Sequence, residues 1–184
     1  MLPWPAVAAS DHAAWSLIGR LGEAQLLLPA ALAFAWWLAR RSEARPLVQW
    51  WLSLMALAAL VTTITKVAFI GWGVGNAAFD FTGVSGHAMF AAAVYPLLCA
   101  GVAASRARPW RRAALLAGYA LALLIGVSRV VDGSHSTSEV LAGLALGLSG
   151  HSQPHTRDQM HRAYELQRLQ TRSTLSRAAP AAAN

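Results

Sequence analysis

Charge is what this chain has least of: 12% of its 184 residues are Asp, Glu, Lys or Arg, against roughly 25% in a soluble globular domain. With 56% hydrophobic residues, so little charge excludes an ordinary water-facing surface and makes the chain a membrane-embedded one. Cysteine is nearly absent. The single Cys99 sits in an apolar run, which excludes an intramolecular disulfide and reads as a buried, inert thiol. Lysine is reduced to one residue, Lys66, against fourteen arginines. The first residues, Met1 to Gly22, lack the basic start and small-residue cleavage site of a secretory signal peptide, and Pro3 and Pro5 delay helix formation. This segment is expected to be retained. No repeat at a solenoid period appears, and nothing in the pattern fixes an oligomeric state.

What is present is apolar length. Runs recur at Ala24 to Ala39, Leu47 to Ile70, Met89 to Ala104 and Ala113 to Val127, with a weaker one at Val140 to Leu148. The first four approach the ~20 residues a spanning helix needs; the fifth spans only if Ser149 to Gln153 extends it inside a bundle. The expected fold is all-α, a polytopic transmembrane helix bundle of about five spans. An N-terminal external segment covers 1–23, the transmembrane domain 24–150, and a polar, basic cytoplasmic tail 151–184. Within the tail, Thr156 to Arg172 is compatible with a helix.

The basic residues report orientation. Arg40, Arg41 and Arg45 follow the first run, Arg106, Arg108, Arg111 and Arg112 follow the third, and five more arginines occupy the tail. Clusters between spans, rather than one stripe with interleaved aromatics, indicate topology and not a nucleic-acid partner. The connections Gly71 to Gly86 and Ser128 to Ser138 hold one basic residue between them, Arg129. They are expected to face outward, on the periplasmic side of a bacterial-type inner membrane.

The unusual polar chemistry falls on that outward side. Lys66 lies inside an apolar run, where an ionisable group is a functional candidate and, equally, a snorkelling lysine near a helix end. Gly83-Val84-Ser85-Gly86-His87 precedes the next run. Glycines around a serine let backbone N–H groups converge at a helix start, which favours an anion, although Ser85 as a plain N-cap also fits. Ser128-Arg129 is followed by Asp132-Gly133-Ser134-His135-Ser136-Thr137-Ser138-Glu139. Arg129 offers a planar fork for phosphate oxygens. His135 and Glu139, four apart, share a helix face, so the carboxylate can hold one imidazole nitrogen and leave the other as nucleophile. A capped helix start, with Ser134 or Ser136 as cap, fits the same segment.

In their order, these three elements resemble the motifs of the type-2 phosphatidic-acid phosphatase superfamily, over roughly residues 24 to 148. The resemblance implies a metal-independent membrane hydrolase that takes a lipid phosphate or diphosphate among the membrane lipids, without a cofactor. It makes His135 the nucleophile that forms a phosphohistidine, Glu139 the acid that orients it and His87 the general acid. Lys66, Ser85, Gly86 and Arg129 would hold the phosphoryl oxygens. Four positions depart from the family pattern: Gly73 and Val74 stand where an Arg-Pro pair is usual, Val84 where proline is usual, and Glu139 where aspartate is usual. The departures point to an alternative, an inactive relative that binds phosphorylated lipid. A metal-binding protein using His87, His135, Asp132 and Glu139 ranks last, because Lys66 and Arg129 would repel a divalent cation.

Overall fold

A computed structural model describes residues 9–40, 42–152 and 169. Among them all regular structure is helical: α1 (Ala9–Arg20), α2 (Ala24–Ala39), α3 (Arg45–Trp72), α4 (Gly86–Val102), α5 (Arg108–Val131) and α6 (Thr137–Ser152). Two short 3-10 turns, at Ser42–Ala44 and Ala77–Phe79, interrupt the connections. The polar tail expected at 151–184 and its helix-compatible stretch lie outside the described residues beyond Ser152, Leu169 excepted.

Local chemistry sets the helix limits. Pro46 and Pro109 sit in the first turns of α3 and α5, where a missing N–H costs nothing and the fixed φ suits a helix. Gly73, at φ 67°, ends α3 in a left-handed cap. This is one of the two positions where the family's usual Arg-Pro pair is missing.

Ala13–Ala39, Arg45–Trp72 and Arg108–Val131 are long and apolar enough to cross a membrane. α4 has 17 residues and α6 has 16, about 24–26 Å at an α-helical rise, less than the ~30 Å hydrocarbon core. The protein is an all-α polytopic membrane bundle in which α3 and α5 have full spanning length as single helices, Ala13–Ala39 reaches it only across the α1–α2 turn, and α4 and α6 are short helices held among them.

Small residues bring the two short helices together. Ala88, Met89, Ala91, Ala92 and Val94 of α4 are completely buried. A Cβ on Gly143 of α6 would lie 2.5 Å from the Ser85 carbonyl oxygen, and one on Gly147 would collide with the Met89 carbonyl. The glycines are four apart, so they form one stripe against which the α4 backbone lies, the small-xxx-small contact of membrane helices. α5 approaches α4 the same way: a Cβ on Gly118 would lie 2.6 Å from the Pro96 Cα. Pro96 interrupts the α4 hydrogen-bond ladder, and Trp51 of α3 donates its indole N–H to the nearby Ala93 carbonyl at 3.1 Å.

α1 lies within the segment expected to be external, and no apolar run announces it. It packs on α5, with the Gly19 backbone against the Arg129 guanidinium and Ser128. Gly22, in the turn to α2, fits against Ile125 and the His87 Cβ, and the Tyr95 hydroxyl donates to the Leu21 carbonyl at 2.8 Å. The α1–α2 corner therefore borders the same end of the bundle as the polar motifs.

Candidate active site

The start of α6 carries the densest polar network. Arg129, in the last turn of α5, accepts the backbone N–H groups of both Ser134 and His135 at its carbonyl, each at 3.1 Å. Gly133, at φ 66°, supplies the left-handed residue that this reversal needs. The turn delivers His135 to the mouth of α6, where its Nδ1 lies 2.7 Å from Glu139 Oε2. Glu139 is 3% exposed. Ser136 caps the helix, its hydroxyl accepting the Glu139 N–H at 3.3 Å. The serine half of a capping box has formed, while the glutamate side chain is turned away into the site.

The other carboxylate oxygen of Glu139 is held from the α3–α4 connection. Thr82 donates its backbone N–H to Oε1 at 2.8 Å and its hydroxyl to the same atom. Lys66 Nζ lies 3.7 Å from Oε1 and 3.4 Å from the Thr82 hydroxyl. The lysine thus turns toward the bundle rather than away to the interface. Sequence reasoning missed Thr82. A hydroxyl residue in a loop carries no periodicity, and the only signal was its place directly before Gly83, whose φ of 142° lets the backbone pass within van der Waals reach of Lys66.

The start of α4 is bound to the start of α6 by its backbone, the Ser85 N–H donating to the Glu139 carbonyl at 3.1 Å. Ser85 occupies the N-cap position, yet its side chain makes no capping bond. It is completely buried, and its hydroxyl has no partner among the described residues. Arg129 Nε is also buried without a partner, while Nη1 lies 3.7 Å from Asp132. Unpartnered buried donors are costly and uncommon in proteins; two at one site suit an anion. The rings of His87 and His135 face each other at 6.3 Å between centroids, tilted by 56°.

His135, Glu139, His87, Ser85, Gly86, Lys66 and Arg129 therefore gather around one end of α4 and α6. Gly86 is the first residue of α4, with open room except for the Thr62 methyl at 3.7 Å from where its Cβ would stand. Among the described residues nothing lies within 4 Å of such a Cβ at Gly73, so the position where the resembled family usually has an arginine faces open space at the end of α3.

The model of the PAP2 superfamily matches residues 67–152, a segment that begins one residue after Lys66. The chain is 40% identical over 136 residues to a Klebsiella pneumoniae protein described as an uncharacterized 22.5 kDa protein in the cps region. That match takes in 74% of this chain and 65% of the relative, so the chain spans just under two thirds of that protein's length. The fold is similar to that of a transmembrane PAP2 type phosphatidylglycerolphosphate phosphatase from Bacillus subtilis, with a TM-score of 0.57 and 23% identity. The similarity covers 77% of this chain and 73% of the Bacillus protein, and at that identity it is a likeness of fold.

Proposed function

We propose that this chain, whose residues 67–152 match the model of the PAP2 superfamily, is a membrane phosphatase of that kind, hydrolysing a lipid phosphate or diphosphate through a phosphohistidine on His135. The observation that carries the reading is the His135–Glu139 pair at 2.7 Å with the His87 ring 6.3 Å across from it. Around the same end of α4 and α6, the Ser85 hydroxyl and Arg129 Nε, buried without a partner among the described residues, are donors suited to phosphoryl oxygens.

The chemistry follows from which nitrogen is occupied. Glu139 accepts from Nδ1–H and leaves the lone pair on Nε2 to attack phosphorus. The N–P bond forms as the bond from phosphorus to the leaving oxygen breaks, and His87 gives that oxygen its proton. Water then attacks phosphorus, passing a proton to His87, and the N–P bond breaks to release inorganic phosphate. Arg129, Lys66 and the Ser85 hydroxyl neutralise the charge spread over the non-bridging oxygens in both steps. His135 must be neutral to attack and His87 protonated to donate, so the rate is expected to be bell-shaped in pH; a flat profile across the histidine range contradicts these roles.

A lipid substrate is favoured by depth. Lys66 lies six residues before the end of α3 at Trp72, about 9 Å below it along the helix. Ile70 and Trp72 above it are 82% and 76% exposed. These exposed apolar side chains carry the membrane-facing surface of α3 past the level of Lys66, which suits a phosphate carried at headgroup level. With the arginine-rich ends opposite, that level is the outer, periplasmic leaflet.

The test is release of inorganic phosphate from a panel of lipid mono- and diphosphates by detergent-purified wild type and His135→Ala, with chelator present. Turnover that the substitution reduces by at least about 10³-fold, and that chelator leaves unchanged, is expected. The open space at Gly73 favours a second reading, a relative that binds phosphorylated lipid without turning it over. Binding that survives His135→Ala, with no phosphate released by either folded protein, would establish that reading instead.

A further inference from the structure

A glutamate in place of aspartate at 139 creates a positional problem that the loop before α4 answers. Glutamate has one more rotatable bond, and a carboxylate free to swing would hold the His135 imidazole in no single orientation. Glu139 does not swing. Its Oε1 receives both donors of Thr82, N–H and hydroxyl, while Oε2 meets His135 Nδ1.

The loop that presents Thr82 is itself fastened at several points. Asn76 and Phe81 exchange backbone hydrogen bonds at 2.9 and 3.0 Å, and the Asn76 side chain accepts the Ala78 N–H at 3.0 Å. Ser138 of α6 donates to the Phe79 carbonyl at 2.7 Å. On the far side of Thr82, the Val84 N–H donates to the Thr65 hydroxyl at 3.1 Å. Thr82 is thus held on both sides, by α6 and by α3.

We propose that Thr82 is a positioning residue that fixes the Glu139 carboxylate and, through it, keeps the proton of His135 on Nδ1. The role rests on the phosphatase reading for its catalytic consequence but not for its structural one. Thr82 also competes with Lys66 for Oε1. Without the hydroxyl, Lys66 becomes the main side-chain partner of that oxygen and is drawn from the phosphoryl group it would otherwise meet. Loss of the hydroxyl therefore lowers kcat more than it raises KM.

The experiment compares full-length wild type, Thr82→Ala and Thr82→Ser in detergent, by turnover on the lipid phosphate panel and by nitrogen NMR of ¹⁵N-histidine-labelled protein in alkaline buffer. The His135 signals are identified by their absence in His135→Ala. Thr82→Ala is expected to lose about 10- to 100-fold in kcat, with KM nearly unchanged, and to shift His135 from the Nδ1–H tautomer to a mixture. Thr82→Ser restores both. A Thr82→Ala protein with wild-type kcat and an unmixed Nδ1–H tautomer overturns the proposal, as does a folded Thr82→Ser as slow as the alanine variant. If the wild type releases no phosphate while the tautomer shifts as expected, the positioning role stands and the phosphatase reading falls.

Discussion

Two helix starts face each other across the site, and they differ in how far the protein satisfies its own polar groups. At the start of α6, Ser136 caps the helix, His135 is paired with Glu139, and Glu139 is held by Thr82 and Lys66. At the start of α4, the Ser85 hydroxyl occupies the cap position without capping, and Arg129 Nε beside the site is buried without a partner among the described residues. One side is finished before any ligand arrives. The other keeps donors whose desolvation has no return inside the protein. On the proposed function, the contrast matches the two duties of a phosphoryl-transfer site: the nucleophile must be oriented in advance, and the oxygen-binding donors must stay unspent.

The contrast predicts different damage on the two sides. The largest effect after His135→Ala is expected from Glu139→Gln, which keeps the shape but lets the amide donate to the imidazole and reverses its tautomer. Turnover should fall by about 10²- to 10⁴-fold with KM little changed, measured by steady-state phosphate release. Arg129→Ala comes next, at about 10²- to 10³-fold, and it should also weaken inhibition by inorganic phosphate, which Glu139→Gln should not. Ser85→Ala removes an unpartnered buried hydroxyl. It should lower turnover about tenfold while leaving the melting temperature unchanged or raised. The smallest effect belongs to Ser136→Ala, which costs about 1 kcal/mol of stability through the lost cap with turnover within a few-fold of wild type. A Ser85→Ala protein that melts earlier than Ser136→Ala would erase the distinction between the two helix starts.

Much of the bundle was legible because apolar length is a strong signal. The run at 24–39 coincides with α2, and the other runs each lie within α3 to α6 or overlap them closely. They fall short at the starts of α3 and α5 because the basic residue and proline there are helical without being apolar. α1 went unread because its alanines, serines and histidine form no apolar run, yet Gly19 and Gly22 let this part of the chain close against Arg129 and His87. The fifth run looked weak for a related reason. Gly143 and Gly147 lower its hydropathy, and the same two residues are the surface by which α6 packs on α4.

The site was legible as a set of residues but not as a network. His135 and Glu139 are neighbours on one helical turn, so four-residue spacing sufficed to pair them. Thr82 reaches Glu139 across 57 positions of sequence, and no local pattern carries that contact. On the proposal made above, the glutamate where the resembled family usually has aspartate marks the place where such a partner acts, since the longer side chain gains a second point of attachment.

The most direct measurement is to trap the covalent intermediate. Wild-type protein would be mixed with a lipid phosphate bearing labelled phosphorus, quenched within one turnover in alkali, and mapped by proteolysis. Label stable to alkali, labile to acid and confined to the peptide carrying His135, with none in His135→Ala, is the predicted result. Phosphate release by the wild type with no labelled protein, and with turnover persisting in His135→Ala, would contradict the account.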